Sequence, residues 1–294
     1  YNAVLILPYY KRIHRKIKTL RVSDDLYTTT GANNLKVYFV SNSKYFDREQ
    51  LYGTSAGDYP DNAYRFGFFC RRVLDLFVQI GFHPDIIHIN DWQTALIPYF
   101  LKTIKQNIPF YKGIKTLFTI HNIAYQGLFQ PDVLPGLGLG RDAFTPYGNG
   151  IEFYGMVNFL KAGLISADAV STVSKKYSYE IQTKEYGYGL DGVIREQRGH
   201  IYGILNGADY NQWNPETDKY IIKRYNIENI EKKSECRKDL LKEFQLINTN
   251  DSTPVIGMIS RLADQKGFDI LTECIPNFAK LDLRLVLLGT GEEK

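Results

Sequence analysis

Short, almost wholly apolar runs rich in β-branched residues recur at 3–7, 35–40, 86–89, 116–120, 169–173, 202–205, 255–259 and 284–288. Runs of this length without polar alternation predict strands buried on both faces, as in a parallel sheet. Between them, apolar positions fall at helical spacings. Phe66, Phe69, Val73, Leu76, Phe77 and Ile80 form one stripe and predict a helix over 62–80. Further helices are predicted over 92–105, 157–166, 174–186, 232–243 and 267–280. Strand and helix in alternation predict an α/β architecture of doubly wound parallel sheets. The charged stretch 218–243 breaks the rhythm before a fresh strand at 255, so a domain change is expected after the loop 206–213. Residues 1–205 then form a first domain of about six strands, and 206–294 the beginning of a second.

Composition leaves this picture intact. With 294 residues, 44% hydrophobic and 23% charged, the chain is ordinary globular protein, which excludes a disordered tail, a collagen and a simple coiled coil. Its length is where one core usually divides into two domains. The net charge is +4, but lysine and arginine are scattered, so nucleic-acid binding is not indicated; a few cations for a small anionic ligand fit equally well. Cys70, Cys236 and Cys274 are odd in number, far apart and without a C-x-x-C pair, and read as reduced, mostly buried thiols of an intracellular protein. No apolar run approaches the roughly 20 residues of a membrane span. The apolar segment 4–8 is followed, not preceded, by basic residues, so it is not a signal peptide.

Ligands of open parallel sheets bind beyond the carboxyl ends of the strands. There the chain places Asn90-Asp91-Trp92, His121-Asn122, Asn206-Gly207-Ala208-Asp209 and Ser260-Arg261. Singly, each has a plain structural reading. Asp91 can cap the helix that begins at Trp92, and His121 can be a satisfied half-buried histidine. Asn206-Gly207 is a common turn pair, and Arg261 can pair with Asp264 at the surface. Together they put carboxylate, imidazole, carboxamide and guanidinium on one rim. Arg261 and Lys266 also bracket a helix start at Lys266-Gly267-Phe268, where free N–H groups and two cations suit a diphosphate. Gly289 and Gly291 follow a strand and can line the same nucleotide pocket, although the pattern is too short to be a dinucleotide fingerprint.

Other chemistries lack their residues. There is no G-x-x-x-x-G-K-[ST] phosphate loop, no G-x-S-x-G elbow and no H-E-x-x-H. Gly136, Gly138 and Gly140 follow Pro135 rather than a strand, so a nicotinamide-binding reading fails there. No D-x-D, the metal anchor of many sugar-nucleotide transferases, occurs, and the rim is expected to work without metal or cofactor.

Several segments resemble the bacterial glycogen synthases and plant starch synthases, in the family's order and spacing. They are His88-Ile-Asn-Asp-Trp-Gln-Thr-Ala, Thr119-Ile-His-Asn-Ile-Ala-Tyr-Gln-Gly127 and Ser171-Thr-Val-Ser174. Tyr186-Gly-Tyr-Gly-Leu-Asp-Gly192, Gly203-Ile-Leu-Asn-Gly-Ala-Asp209, Trp213-Asn-Pro215 and Ser260-Arg-Leu-Ala-Asp-Gln-Lys-Gly267 continue the series. Leu5-Ile-Leu-Pro-Tyr-Tyr-Lys-Arg-Ile13 and Tyr59-Pro-Asp-Asn62 are similar to its first-domain segments.

The resemblance implies a GT-B fold, two Rossmann-like domains facing a cleft. It implies metal-free, retaining transfer of glucose from ADP-glucose, or UDP-glucose, to the non-reducing 4-hydroxyl of an α-1,4-glucan, in the bacterial cytoplasm or a plastid. By the same resemblance Arg261 and Lys266 stabilise the diphosphate, and His121 and Asn122 lie beside the sugar. Asp91 lies near the transferred glucose and the acceptor hydroxyl, and Asn206 contacts the sugar between domains. The family's Lys-x-Gly-Gly-Leu loop is expected ahead of Tyr1 and its late glutamate motif beyond Lys294, so the chain is expected to be part of a longer enzyme and inactive alone. Alternatives are a related hexosyltransferase of the sucrose-forming type and a non-catalytic glucan-binding fragment.

Overall fold

Strands β1 (Val4–Pro8), β2 (Leu20–Ser23), β3 (Leu26–Thr30) and β4 (Lys36–Val40) form a sheet ordered β1-β4-β3-β2. The computed structural model describes residues 1–54, 57–197, 199–246, 249–262 and 266–291. β1 and β4 pair in parallel from Val4↔Lys36 to Pro8↔Val40, with helix α1 (Lys11–Lys16) on the connection between them. β2 and β3 form an antiparallel hairpin that the apolar pattern does not predict. Arg21, Ser23 and the Thr28–Thr30 run are too polar to register as buried strand; the hairpin lies at the sheet's edge, where one face meets water.

Helix α2 (Ser43–Phe46) is capped by the Asn42 side chain, which accepts the Tyr45 N–H. The hairpin β5 (Gly53–Thr54) and β6 (Gly57–Asp58) leads to α3 (Asn62–Gln79), whose predicted stripe is buried through Phe66, Phe69, Val73, Leu76 and Phe77. After β7 (Ile86–Asn90), the helix expected over 92–105 is two, α4 (Asp91–Thr94) and α5 (Leu96–Thr103). The break has a covalent cause: Pro98 has no N–H to bond the Thr94 carbonyl four residues back.

β8 (Lys115–Ile120) precedes a small antiparallel sheet of β9 (Leu128–Phe129), β10 (Glu152–Phe153) and β11 (Met156–Asn158), ordered β10-β11-β9. Asn158, expected to be helical, ends β11 and caps α6 (Phe159–Ser166) by accepting the Lys161 N–H at 2.9 Å. β12 (Ala169–Thr172) follows, then α7 (Lys175–Glu180), shorter than the expected 174–186, α8 (Asp191–Glu196) and β13 (Ile201–Gly203). The central sheet is ordered β13-β12-β8-β7 and is parallel throughout. Its strands are not all buried on both faces, as expected: β7, at the edge, buries Ile87 and Ile89 but exposes Ile86, His88 and Asn90.

Both sheets share one core. It runs from Leu26, Val40 and Phe46 through the α3 stripe to Ile89, Phe118, Leu160 and Val170. Cys70 lies fully inside it, and burial pushes its thiol up to about 12. Cys236 and Cys274 are half-buried and free.

The chain divides into two compact units, Tyr1–Asn206 and Gly207–Lys294. The second unit begins with turns, followed by α9 (Lys233–Glu243), β14 (Val255–Ile259), α10 (Phe268–Phe278) and β15 (Arg284–Leu288). β14 and β15 pair in parallel from Val255↔Arg284 to Ile259↔Leu288. No described helix is long and apolar enough to cross a membrane.

Candidate active site

The carboxyl ends of β7 and β8 lie side by side, with Asn90 opposite Thr119 in the register. Asp91 follows directly, with φ of +54°, a left-handed conformation uncommon outside glycine and more accessible to Asp and Asn. Its side chain does not cap α4. It reaches to the neighbouring strand end and accepts the His121 N–H at 2.8 Å, and the Asn122 N–H as well. The turned backbone is what points the carboxylate sideways across the sheet rather than along its own helix.

His121 is exposed, not half-buried, and its ring is held from the same strand end: Nε2 lies 3.0 Å from Asn90 Oδ1, where a protonated nitrogen donates to the amide oxygen. The Asn122 carboxamide oxygen accepts the Ala124 N–H at 3.0 Å. Burial pushes the Asp91 carboxyl above the usual carboxylate range, partly offset by its two N–H donors and the His121 ring. The result is a carboxylate and an imidazole fixed about one another at the open end of a parallel sheet, oriented before any ligand arrives.

Packing explains why this corner is rigid. Trp92, next to Asp91, is buried and meets Phe66 edge-on at 4.9 Å and Phe129 at 5.8 Å. Gly127 is required on its other side: φ is +64°, and a Cβ there would fall 2.5 Å from the Trp92 ring. Behind β8, Tyr177 accepts the Ile123 N–H at 3.0 Å. The Asn158 amide donates to Gln126 Oε1 at 2.7 Å, and Gln126 donates to the Tyr188 carbonyl at 3.0 Å. The His121–Gly127 and Tyr186–Gly192 segments are therefore tied to each other.

Asn90, which the sequence already places on the rim, has a task the sequence does not show, and two further residues carry no rim signal there. Asn90 orients His121. Tyr52 and Tyr177 each sense the Asp91 charge, which adds to burial in raising their hydroxyl pKa values. Tyr52 comes from a loop about forty residues upstream with no motif of its own. Below the rim, His88 Nε2 is 2.7 Å from Thr119 Oγ1, which is 2.6 Å from Ser171 Oγ; partial burial of the ring, with the neighbouring His121, lowers the His88 pKa.

The remaining candidates lie elsewhere. Asn206 is exposed in an irregular segment that ends the first unit. Arg261, Lys266, Gly289 and Gly291 belong to the second unit, where both cations are exposed. Gly267, at the start of α10, has φ of +73°. Gly289 and Gly291 are needed for close packing: a Cβ would fall 2.3 Å from the Ser260 carbonyl at the first and 2.3 Å from Leu262 Cβ at the second. They bring the end of β15 against the Ser260–Leu262 backbone, which flanks Arg261. Asp264, the alternative partner for Arg261, lies outside the described residues.

Residues 1–196 match the family profile described as the starch synthase catalytic domain. The glycogen synthase of Geotalea uraniireducens (strain Rf4) is 44% identical over 303 residues, covering 99% of this chain and 62% of that protein. The glycogen synthase of Koribacter versatilis (strain Ellin345) is 47% identical over 261 residues, covering 89% and 53%. The catalytic domain of starch synthase IV from Arabidopsis thaliana, solved with ADP and acarbose bound, superposes with a TM-score of 0.82 at 30% identity, covering 98% of this chain and 61% of that one. The chain thus spans about three fifths of the length of the first curated relatives it matches.

Proposed function

The chain belongs to the family of the starch synthase catalytic domain, and from that membership we propose that it transfers glucose from ADP-glucose to the 4-hydroxyl at the non-reducing end of an α-1,4-glucan, with retention at the anomeric carbon. The observation that carries this reading is the Asn90–Asp91–His121 arrangement, in which an exposed imidazole and a carboxylate are held at adjacent strand ends by the Asn90 amide and the His121 N–H.

Breaking a glucosyl–phosphate bond builds positive character on the sugar and negative charge on the departing diphosphate. Holding the sugar is then the task of neutral and anionic groups, and holding the diphosphate that of cations. In this reading His121 hydrogen-bonds a glucose hydroxyl and supports the anomeric centre. Asp91 accepts hydrogen bonds from the transferred glucose and the incoming acceptor hydroxyl, and Asn122 and Asn206 contact the sugar. Arg261 and Lys266 bind the diphosphate and gain strength as its charge grows. Gly289 and Gly291 leave backbone accessible to the nucleotide. We read the fold as the GT-B type and the setting as the bacterial cytoplasm.

The choice of ADP-glucose over UDP-glucose is supported by the Arabidopsis relative, which was solved with ADP. Its test is a donor comparison in the protein as the cell makes it: kcat/KM for ADP-glucose should exceed that for UDP-glucose by roughly tenfold or more. Equal or reversed values would overturn the donor assignment.

A further inference from the structure

At the end of β8 opposite His121, the first unit has a cavity of about 340 Å³, at the lower end of the range for small-molecule sites. One wall is apolar, from Pro98, Leu101 and Ile114; Lys102, Lys105 and Lys112 line the rest with Asp168. The floor is fixed. Tyr111 is buried and donates to the Leu74 carbonyl at 3.1 Å, and Lys105 lies 5.6 Å from its ring centroid.

The charges do not cancel. Lys105 is paired with Asp75 at 2.6 Å. Asp168 is paired with Lys115 at 3.2 Å, and its second oxygen accepts both the Thr116 N–H and the Thr116 hydroxyl at 2.9 Å. Those contacts hold the Asp168 carboxyl below its ordinary range, so it is engaged as an anion. Lys102 and Lys112 enter no ion pair among the described residues. Lys102 is in the last turn of α5, where helix carbonyls favour a cation. That accounts for Lys102 alone: Lys112 belongs to the loop before β8 and converges on the cavity from another direction. Four lysines against two engaged carboxylates leave a surplus of two positive charges beside an apolar wall.

We propose that this cavity binds a phosphate monoester of a small sugar or polyol. The dianionic phosphate is held by Lys102 and Lys112, and the carbon skeleton lies against Pro98 and Leu101. The site is distinct from the strand-end rim: Thr116 and His121 are five residues apart along β8, about 17 Å at strand spacing. It does not depend on the transferase reading.

The test is calorimetric titration of the purified protein with inorganic phosphate, glucose 1-phosphate and glucose. Glucose 1-phosphate should bind about tenfold more tightly than inorganic phosphate, and glucose should give no heat. Lys102→Ala/Lys112→Ala should weaken glucose 1-phosphate binding at least about tenfold while lowering the melting temperature by no more than about 4 °C, since both side chains are exposed and only Lys102 meets helix carbonyls. Arg261→Ala/Lys266→Ala, which removes the cations proposed for the donor, should leave this binding in place. Absence of binding, binding that survives Lys102→Ala/Lys112→Ala, or binding lost only in Arg261→Ala/Lys266→Ala would overturn the proposal.

Discussion

The Asp91 carboxylate accepts the backbone N–H of His121 at 2.8 Å, joining the end of one strand to the end of the next. The bond depends on a left-handed backbone at Asp91 and on a carboxylate that burial makes reluctant to ionise. Both features cost stability, and both leave the carboxylate aimed across the rim.

Asp91→Asn is therefore expected to stabilise the protein at neutral pH. The folded pKa of Asp91 is raised, so the native state binds its proton more tightly than the unfolded state does. Below the ordinary carboxylate value both states are protonated and the site contributes no pH-dependent difference. As pH rises through and beyond that value the native state bears the cost of ionisation, which Asn avoids while keeping an oxygen for the His121 N–H. Melting temperatures measured from pH 4 to 8 should show the variant gaining on the wild type as pH rises. A constant difference would show that Asp91 ionises without penalty.

Asn90→Ala should slow turnover by about ten- to a hundredfold with little change in KM, because it frees the His121 ring without removing it. Asn90→Asp should instead displace the pH–rate profile towards higher pH, since a carboxylate at 3.0 Å favours the charged imidazole. Steady-state kinetics across pH separate the two. An unaltered kcat in Asn90→Ala would mean that the ring needs no such support.

Arg65 makes a structural prediction. It is wholly buried in α3, donating to the Tyr45 and Leu51 carbonyls and to Asn62 Oδ1, with its guanidinium 5.0 Å from the Tyr59 ring centroid. It thereby fixes the loop that carries Tyr52. Arg65→Ala strands the buried Asn62 Oδ1 and two part-buried carbonyls and is expected to cost about 2–4 kcal/mol by urea denaturation. Arg65→Lys, which lacks the planar fork, should recover only part of it. A loss below about 1 kcal/mol would mean water replaces the guanidinium.

Much of this was legible in the sequence, for identifiable reasons. The parallel strands announce themselves because Ile87, Ile89, Phe118 and Val170 sit in runs with little polar interruption. The Phe66–Phe77 stripe gives α3 nearly to its ends. The β2–β3 hairpin does not stand out, because its strands are short and Arg21, Ser23 and the Thr28–Thr30 run interrupt its apolar positions. Asp91 and His121 draw notice as polar residues after strands, but nothing local says that Asp91 turns left-handed or that Asn90 holds the imidazole. Those depend on which strand lies alongside, a fact of tertiary pairing. Tyr52 comes from farther still and feels the Asp91 charge from a loop held by Arg65, Asn62 and the Tyr59 N–H.

In the second unit, Arg261→Ala or Lys266→Ala should each lower kcat by about a hundred- to a thousandfold, as for loss of a stabiliser of developing charge. With the diphosphate charge met by side chains as proposed, activity should also survive exhaustive chelation. Single-turnover rates with ADP-glucose, with and without chelator, test both. Near-normal rates in both variants would remove the diphosphate role.

The most direct measurement is incubation of the protein, as the cell makes it, with ADP-glucose and maltoheptaose, with products followed by mass and by proton NMR of the anomeric centre. Glucans should lengthen by single glucose units, each joined α-1,4, with one ADP released per unit and a rate reduced by about two orders of magnitude or more in His121→Ala. Free glucose without lengthening, a β-linked product, or a His121→Ala variant working at the wild-type rate would contradict the proposed transfer.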